Sequence, residues 1–197
     1  MLSFGQSNLG ASLSQETSFR LLSVILVCLP LLAACTADAG RMVASSGGVA
    51  LAFSGGWQHT LCLRTVEGGE KWNLLSQAGV VEDAAFREAL EKSLRQNQLI
   101  APQTACKYYL DVNILGVSQP SEGMFVTSVQ TISHVNYKIF DRNQKPAFVD
   151  TVSSSYTENF SLLPAVARVQ RSSEGAVRTN FDQFLQHLST KPPAASQ

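Results

Sequence analysis

The chain predicts an α+β fold: a small, mostly antiparallel sheet with two helices packed on one face, in the order β-α-β-β-β-α. Three observations predict it. Residues 80–98 repeat their apolar positions at helical spacing, 106–160 alternate at strand spacing between turn signals, and 162–188 return to a helical stripe. Two helices laid on one face of such a sheet would bury all these apolar faces in a single core.

The first element, 59–66, reads as a strand around Leu61, Cys62 and Leu63, and the Gly68-Gly69 pair after it as a turn. In 80–98, Phe86, Ala89, Leu90, Ser93 and Leu94 fall on one helical face, with Glu82, Asp83, Arg87, Glu88, Glu91 and Lys92 over the rest. Acids in the first turn suit the positive end of the helix dipole. In 106–117, Cys106, Tyr108, Leu110, Val112 and Ile114 face one way and Lys107, Tyr109, Asp111 and Asn113 the other, as in a half-buried strand. A turn over 120–123 leads to a long strand, 124–140, with Val129, Val135, Tyr137 and Ile139 on one face.

Residues 141–145 form a polar hairpin loop, and Pro146 enters the last strand, 147–160, where a missing donor does least harm. The Ser, Thr and Tyr content of that strand points to an exposed face or a sheet edge. In the closing helix the expected stripe is Val166, Val169, Ser173, Val177, Phe181, Phe184 and Leu188. Gly175 interrupts it at up to about 1 kcal/mol relative to alanine, which close packing on the sheet would explain.

Ahead of these elements lies the uncharged run 21–34, preceded by Arg20. It is too short to span a membrane, which takes roughly 17–25 apolar residues, and matches the apolar centre of a secretory signal peptide. The expected organisation is therefore a signal at 1–34, Cys35 with a flexible Gly/Ser/Ala-rich spacer to residue 57, a domain over 58–189 and a disordered tail at 190–197. A short strand at 49–53 is the one element expected inside the spacer. Removing the signal takes away only Glu16 and Arg20, so the net charge stays at zero. Charged residues make up 15% of the chain, which argues against a nucleic-acid or polyanion surface.

Of the four cysteines, Cys28 lies in the signal and Cys35 at its end, leaving Cys62 and Cys106. In an oxidising compartment they are expected to pair, a cross-link on the usual scale of about 3–4 kcal/mol. His59, His134 and His187 have no metal-ligand spacing, and neither a metal nor a cofactor is expected. No catalytic residue is assigned: the serines lie in no nucleophile elbow, and Ser133 and His134, adjacent in a strand, point to opposite faces.

Two polar groupings remain. Arg171, Glu174, Arg178 and Asn180 lie close together on the last helix, with Glu174 and Arg178 at i,i+4 spacing worth about 0.3–0.5 kcal/mol. They read as a solvated helix face or, with Tyr156 and Phe160 of the last strand, as a partner surface. The alternative function, binding of a lipid or glycan, would need a pocket between helices and sheet lined by Phe86, Tyr108, Tyr137 and Phe181.

Leu32-Ala33-Ala34-Cys35 resembles the lipobox of bacterial lipoproteins, and the pattern over 59–188 resembles small envelope lipoproteins of Gram-negative bacteria, of the YajG, LpoB and LptE types. The resemblance implies cleavage between Ala34 and Cys35, a diacylglycerol and further acyl chain on Cys35, and anchoring to a membrane. Thr36, in place of an aspartate, implies the periplasmic side of the outer membrane, the inner membrane being the alternative. It also implies a non-enzymatic accessory or assembly role through an envelope protein partner. An acyltransferase is the enzymatic alternative, and the oligomeric state stays open.

Overall fold

The computed structural model describes residues 37–45, 53, 56–69, 80–102, 105–118, 128–159 and 163–193. Its elements in chain order are α1 (Ala39–Met42), β1 (Leu61–Glu67), α2 (Asp83–Gln96), β2 (Tyr108–Ser118), β3 (Ser128–Asp141), β4 (Pro146–Asn159) and α3 (Ala165–Thr190). Apart from the single-turn α1, this is the expected order.

The four strands form one sheet in the order β1-β2-β3-β4. β1 runs parallel to β2, whereas β2–β3 and β3–β4 are antiparallel. A parallel pair cannot be closed by a hairpin, and α2 is the crossover element that returns the chain. Gly68 leaves β1 at φ +92°, where a Cβ would stand 2.2 Å from the Ile114 carbonyl oxygen, so only glycine fits. Gly69 then donates its N–H to Asp83 Oδ1 at 2.7 Å, seating the first turn of α2.

The hairpin between β3 and β4 is tied by one side chain. Asp141 Oδ1 accepts from the backbone N–H groups of Asn143 (2.8 Å) and Lys145 (2.9 Å), and Gln144 takes the left-handed conformation at φ 62°. Among the described residues β4 has a partner strand on one side only, the edge position its polar composition implied.

One sheet face carries the core. Leu110, Val112 and Ile114 of β2 and Val135, Tyr137 and Ile139 of β3 are buried, and α2 contributes the expected Phe86, Ala89, Leu90, Ser93 and Leu94. Phe86 meets Phe181 edge-on at 4.8 Å, and Tyr137 stacks on Phe184 at 3.9 Å. The expected Cys62–Cys106 disulfide is present, with Cα atoms 5.7 Å apart. Cys106 precedes β2 rather than lying in it.

Three expectations are corrected. The segment read as a free spacer sends described residues into the fold: Ala37, Met42, Ala44, Phe53 and Trp57 belong to the core. Its small residues let the backbone lie close to the helices, while Met42 and Trp57 supply the apolar area that holds it there. Of the strand expected at 49–53 only Phe53 is described, and it is not in a strand.

Residues 190–193, assigned to the tail by the sequence, are described in the structure. α3 runs to Thr190, and the Lys191 carbonyl accepts from Trp57 Nε1 at 2.7 Å. Finally, the apolar stripe fails in the first half of α3. Val166 is 48% exposed, and the buried positions there are Arg168, Ser172, Ser173, Glu174, Gly175 and Ala176.

Candidate functional site

The polar stretch of α3 is the seam between that helix and the sheet. Asn180 sits at its centre, fully buried, donating to the Val152 carbonyl at 3.0 Å and accepting from the Tyr137 hydroxyl at 2.7 Å. Burial pushes the Tyr137 phenol well above its ordinary range, so it stays a donor. Ser172 donates to the Val129 carbonyl (2.9 Å) and the Tyr156 carbonyl (3.1 Å), and Ser154 donates back to the Ala176 carbonyl at 2.8 Å. Asn180, Ser172 and Ser154 bury here because each has a partner, which apolar periodicity does not register. Tyr156 lies under Gly175, with the Arg178 guanidinium 5.7 Å from its ring centre.

Glu174 binds the N-terminal arm. Its side chain is 2% exposed, and Oε1 accepts from the Asp38 N–H (2.8 Å) and Gln170 Nε2 (3.0 Å), while Oε2 faces Arg41 Nη1 at 3.6 Å. The arm is held at three further points. Ala37 N–H donates to the Val80 carbonyl (3.0 Å), Ala44 N–H donates to Ser93 Oγ (2.9 Å), and Met42 is fully buried. Asp182, whose carboxyl burial pushes above its ordinary range, also accepts from Ser45.

Of the residues expected to share a partner surface, the structure brings Arg178 and Tyr156 together and turns the others apart. Glu174 faces inward to the arm rather than pairing with Arg178, and Tyr156 is half-buried beneath α3, while Arg171 is exposed. Phe160, Ala34 and Cys35 lie outside the described residues. Glu174→Ala would leave the Asp38 amide without its acceptor at a cost of about 1–3 kcal/mol, felt first at the arm. Tryptic cleavage after Arg41 should then accelerate while the rest of the domain stays resistant. An unchanged Arg41 cleavage rate would show that the carboxylate does not hold the arm.

The space between helices and sheet, the location a lipid or glycan pocket would need, is filled by its own lining. Phe86, Tyr137 and Phe181 are fully buried against their neighbours, and Tyr108 packs against Trp57 at 5.1 Å. Among the described residues no group of three ligands could hold a metal ion, and no helix is long and apolar enough to cross a membrane.

The opposite sheet face carries no described helix, and its side chains pair among themselves. Arg64, at the β1 bulge, holds Asp111 through two hydrogen bonds and donates to Gln144 Oε1 at 2.9 Å. Its guanidinium lies over Phe140 (5.4 Å) and Tyr109 (5.9 Å). Beyond this cluster, His134 Nδ1 meets Ser153 Oγ at 2.7 Å and Asn136 donates to Thr151 Oγ1 at 2.8 Å. Leu115 and Val149 are 57% and 54% exposed. His134 faces outward and Ser133 inward, as adjacent strand residues must.

The hydrogen bond from Arg64, opposed by desolvation, holds the Asp111 carboxyl below the usual carboxylate range. A carboxyl depressed on folding stabilises fully above its unfolded pKa, and that stability is lost as pH falls through the folded value. Asp111→Asn should accordingly flatten the acid side of the stability-against-pH curve. Urea unfolding at a series of pH values checks this, and an acid limb identical to wild type would assign the pair no such role.

No protein-family model matches the chain, and no curated protein matches it by sequence. Solved structures do. A minor lipoprotein of Acinetobacter baumannii is 12% identical, with a TM-score of 0.46, covering 69% of this chain and 98% of its own. A Xanthomonas campestris protein is 11% identical with a TM-score of 0.49, covering 68% and 88%. The PelC dodecamer of Paraburkholderia phytofirmans is 8% identical with a TM-score of 0.46, covering 68% and 90%.

Proposed function

We propose that the chain is a lipid-anchored lipoprotein of the Gram-negative envelope, held by acylated Cys35 on the periplasmic side of the outer membrane. Its domain is a non-enzymatic accessory or assembly factor, in the manner of the YajG, LpoB and LptE types, and works by binding another envelope protein. The lipobox resemblance supports the anchor. The sheet face that carries no described helix supports the second half of the reading: aromatic rings, a guanidinium and two exposed aliphatic side chains on its strands are the composition of a protein-binding surface. Less supports the lipid- or glycan-binding alternative, since Phe86, Tyr137, Phe181 and Phe184 are buried against one another between the layers.

Two measurements test the two halves. Intact mass and membrane fractionation, with wild type beside Cys35→Ala, should show an acylated, membrane-bound wild type and an unprocessed or displaced variant. A soluble, unacylated wild type would remove the anchor. Photo-crosslinking residues introduced in living cells at Val149 or Asn136 on the open face, and at Gln186 on α3, should give a discrete adduct from the face only. Adducts from Gln186 alone would move the contact to the helices.

A further inference from the structure

We infer that the folded domain lies directly on the lipid surface that anchors it, with the α1 side of the helical layer turned toward the headgroups. The inference rests on the acylation of Cys35 proposed above and adds an orientation to it. One residue, Thr36, separates Cys35 from Ala37, and Ala37 is already part of the fold, 5% exposed and hydrogen-bonded to the Val80 carbonyl at 3.0 Å. Two fully extended residues span about 7 Å at most. A leaflet's headgroup layer is about 5–7 Å deep, so the tether would be used up before the chain emerges from it.

The arm gives no slack after that. Asp38 is tied to Glu174, Met42 is fully buried and Ala44 is tied to Ser93, so the anchor point moves with the body of the domain. A Gly/Ser linker would let the domain swing freely; this attachment does not.

The neighbouring surface suits a lipid occupant. Val166, Gln170 and Glu174 are spaced i,i+4,i+8 and form one row along α3. That row starts at the arm, where Glu174 accepts from Asp38, and ends at Val166, an aliphatic side chain left 48% exposed at the start of the helix. Arg171 is exposed beside it, and Arg41, 54% exposed, lies there too, its guanidinium shared between Asp38 at 3.8 Å and Glu174 at 3.6 Å. A short aliphatic contact flanked by guanidinium groups complements anionic headgroups.

The test uses the full chain, expressed with its own signal, purified acylated and reconstituted in phosphatidylethanolamine–phosphatidylglycerol vesicles containing spin-labelled lipid. A fluorophore is placed, without reducing the disulfide, at Val166→Cys, Arg171→Cys or Val149→Cys. Spin-label quenching should be several-fold stronger at positions 166 and 171 than at 149, and ten Gly/Ser residues inserted between Thr36 and Ala37 should erase the difference. Equal quenching at all three positions in protein whose mass confirms acylation would overturn the orientation alone. A difference that survives the insertion would overturn the tether as its cause. Protein that carries no acyl group would overturn the anchor, and the orientation with it.

Discussion

Replacing Cys62 and Cys106 together by alanine is expected to lower the unfolding free energy by about 4 kcal/mol. The bond closes a loop with a sequence separation of 44. Cross-linking a denatured chain over that length removes about 13 cal/mol/K of loop entropy, or about 4 kcal/mol at 25 °C. The loop contains α2, so the reduced unfolded chain must find a whole helix and its return strand that the oxidised chain keeps within reach. Domains of this size are stable by roughly 5–15 kcal/mol, so the variant should be marginal at growth temperature. Guanidinium unfolding of wild type, oxidised and reduced, beside the double variant gives the number. A loss below about 1 kcal/mol would mean that the cross-link does not constrain the denatured chain as loop closure requires.

The second large effect has an unusual sign. Glycine inside a helix is ordinarily about 1 kcal/mol worse than alanine, so Gly175→Ala should stabilise a typical helix. Here an added Cβ would stand 2.4 Å from Cδ1, 2.5 Å from Cγ and 2.6 Å from Cε1 of Tyr156. Cγ is fixed close to the β4 backbone, which is paired to Thr131, so the ring cannot swing clear. Overpacking of this kind costs about 1–3 kcal/mol, so Gly175→Ala should be a net loss, and Gly175→Val should lose about 3 kcal/mol. Removing the ring reverses the sign: in a Tyr156→Ala background, Gly175→Ala should gain up to about 1 kcal/mol. Thermal or urea unfolding of the four-member cycle decides it. If alanine at 175 is unfavourable in both backgrounds, the ring is not what excludes it.

Gly175 also shows how far the fold could be read in advance. Its place in a helical stripe pointed to close packing, and the five buried residues of α2 match their predicted face. The strands were legible because alternation of apolar and polar residues reports which side loses water. The first half of α3 was not, because burial there depends on partners. Ser172, Glu174 and Asn180 are inside because carbonyls of β3 and β4 and an amide of the arm wait for them. The arm itself was hidden by its composition: Ala37, Ala39, Gly40 and Ala44 look like spacer, and Met42 was the large apolar residue among them. The open-face cluster was invisible for a similar reason. Arg64, Asp111, Gln144 and Phe140 come from separate stretches of sequence and meet only through the β1–β2–β3 register.

The bond from the Asp38 amide to Glu174 spans 136 residues, and that separation sets an order in time. The arm is made early, and its dock on α3 is made near the end. At synthesis rates of about 5–20 residues per second, the arm waits about 7–27 s before its partner exists. Under the anchor reading, Cys35 would therefore be presented to the acylating and cleaving enzymes on a chain whose dock on α3 does not yet exist. Once the last helix arrives, the same segment is drawn in and the modified cysteine is left beside the finished body. Maturation would precede closure without any separate device to enforce the sequence of events.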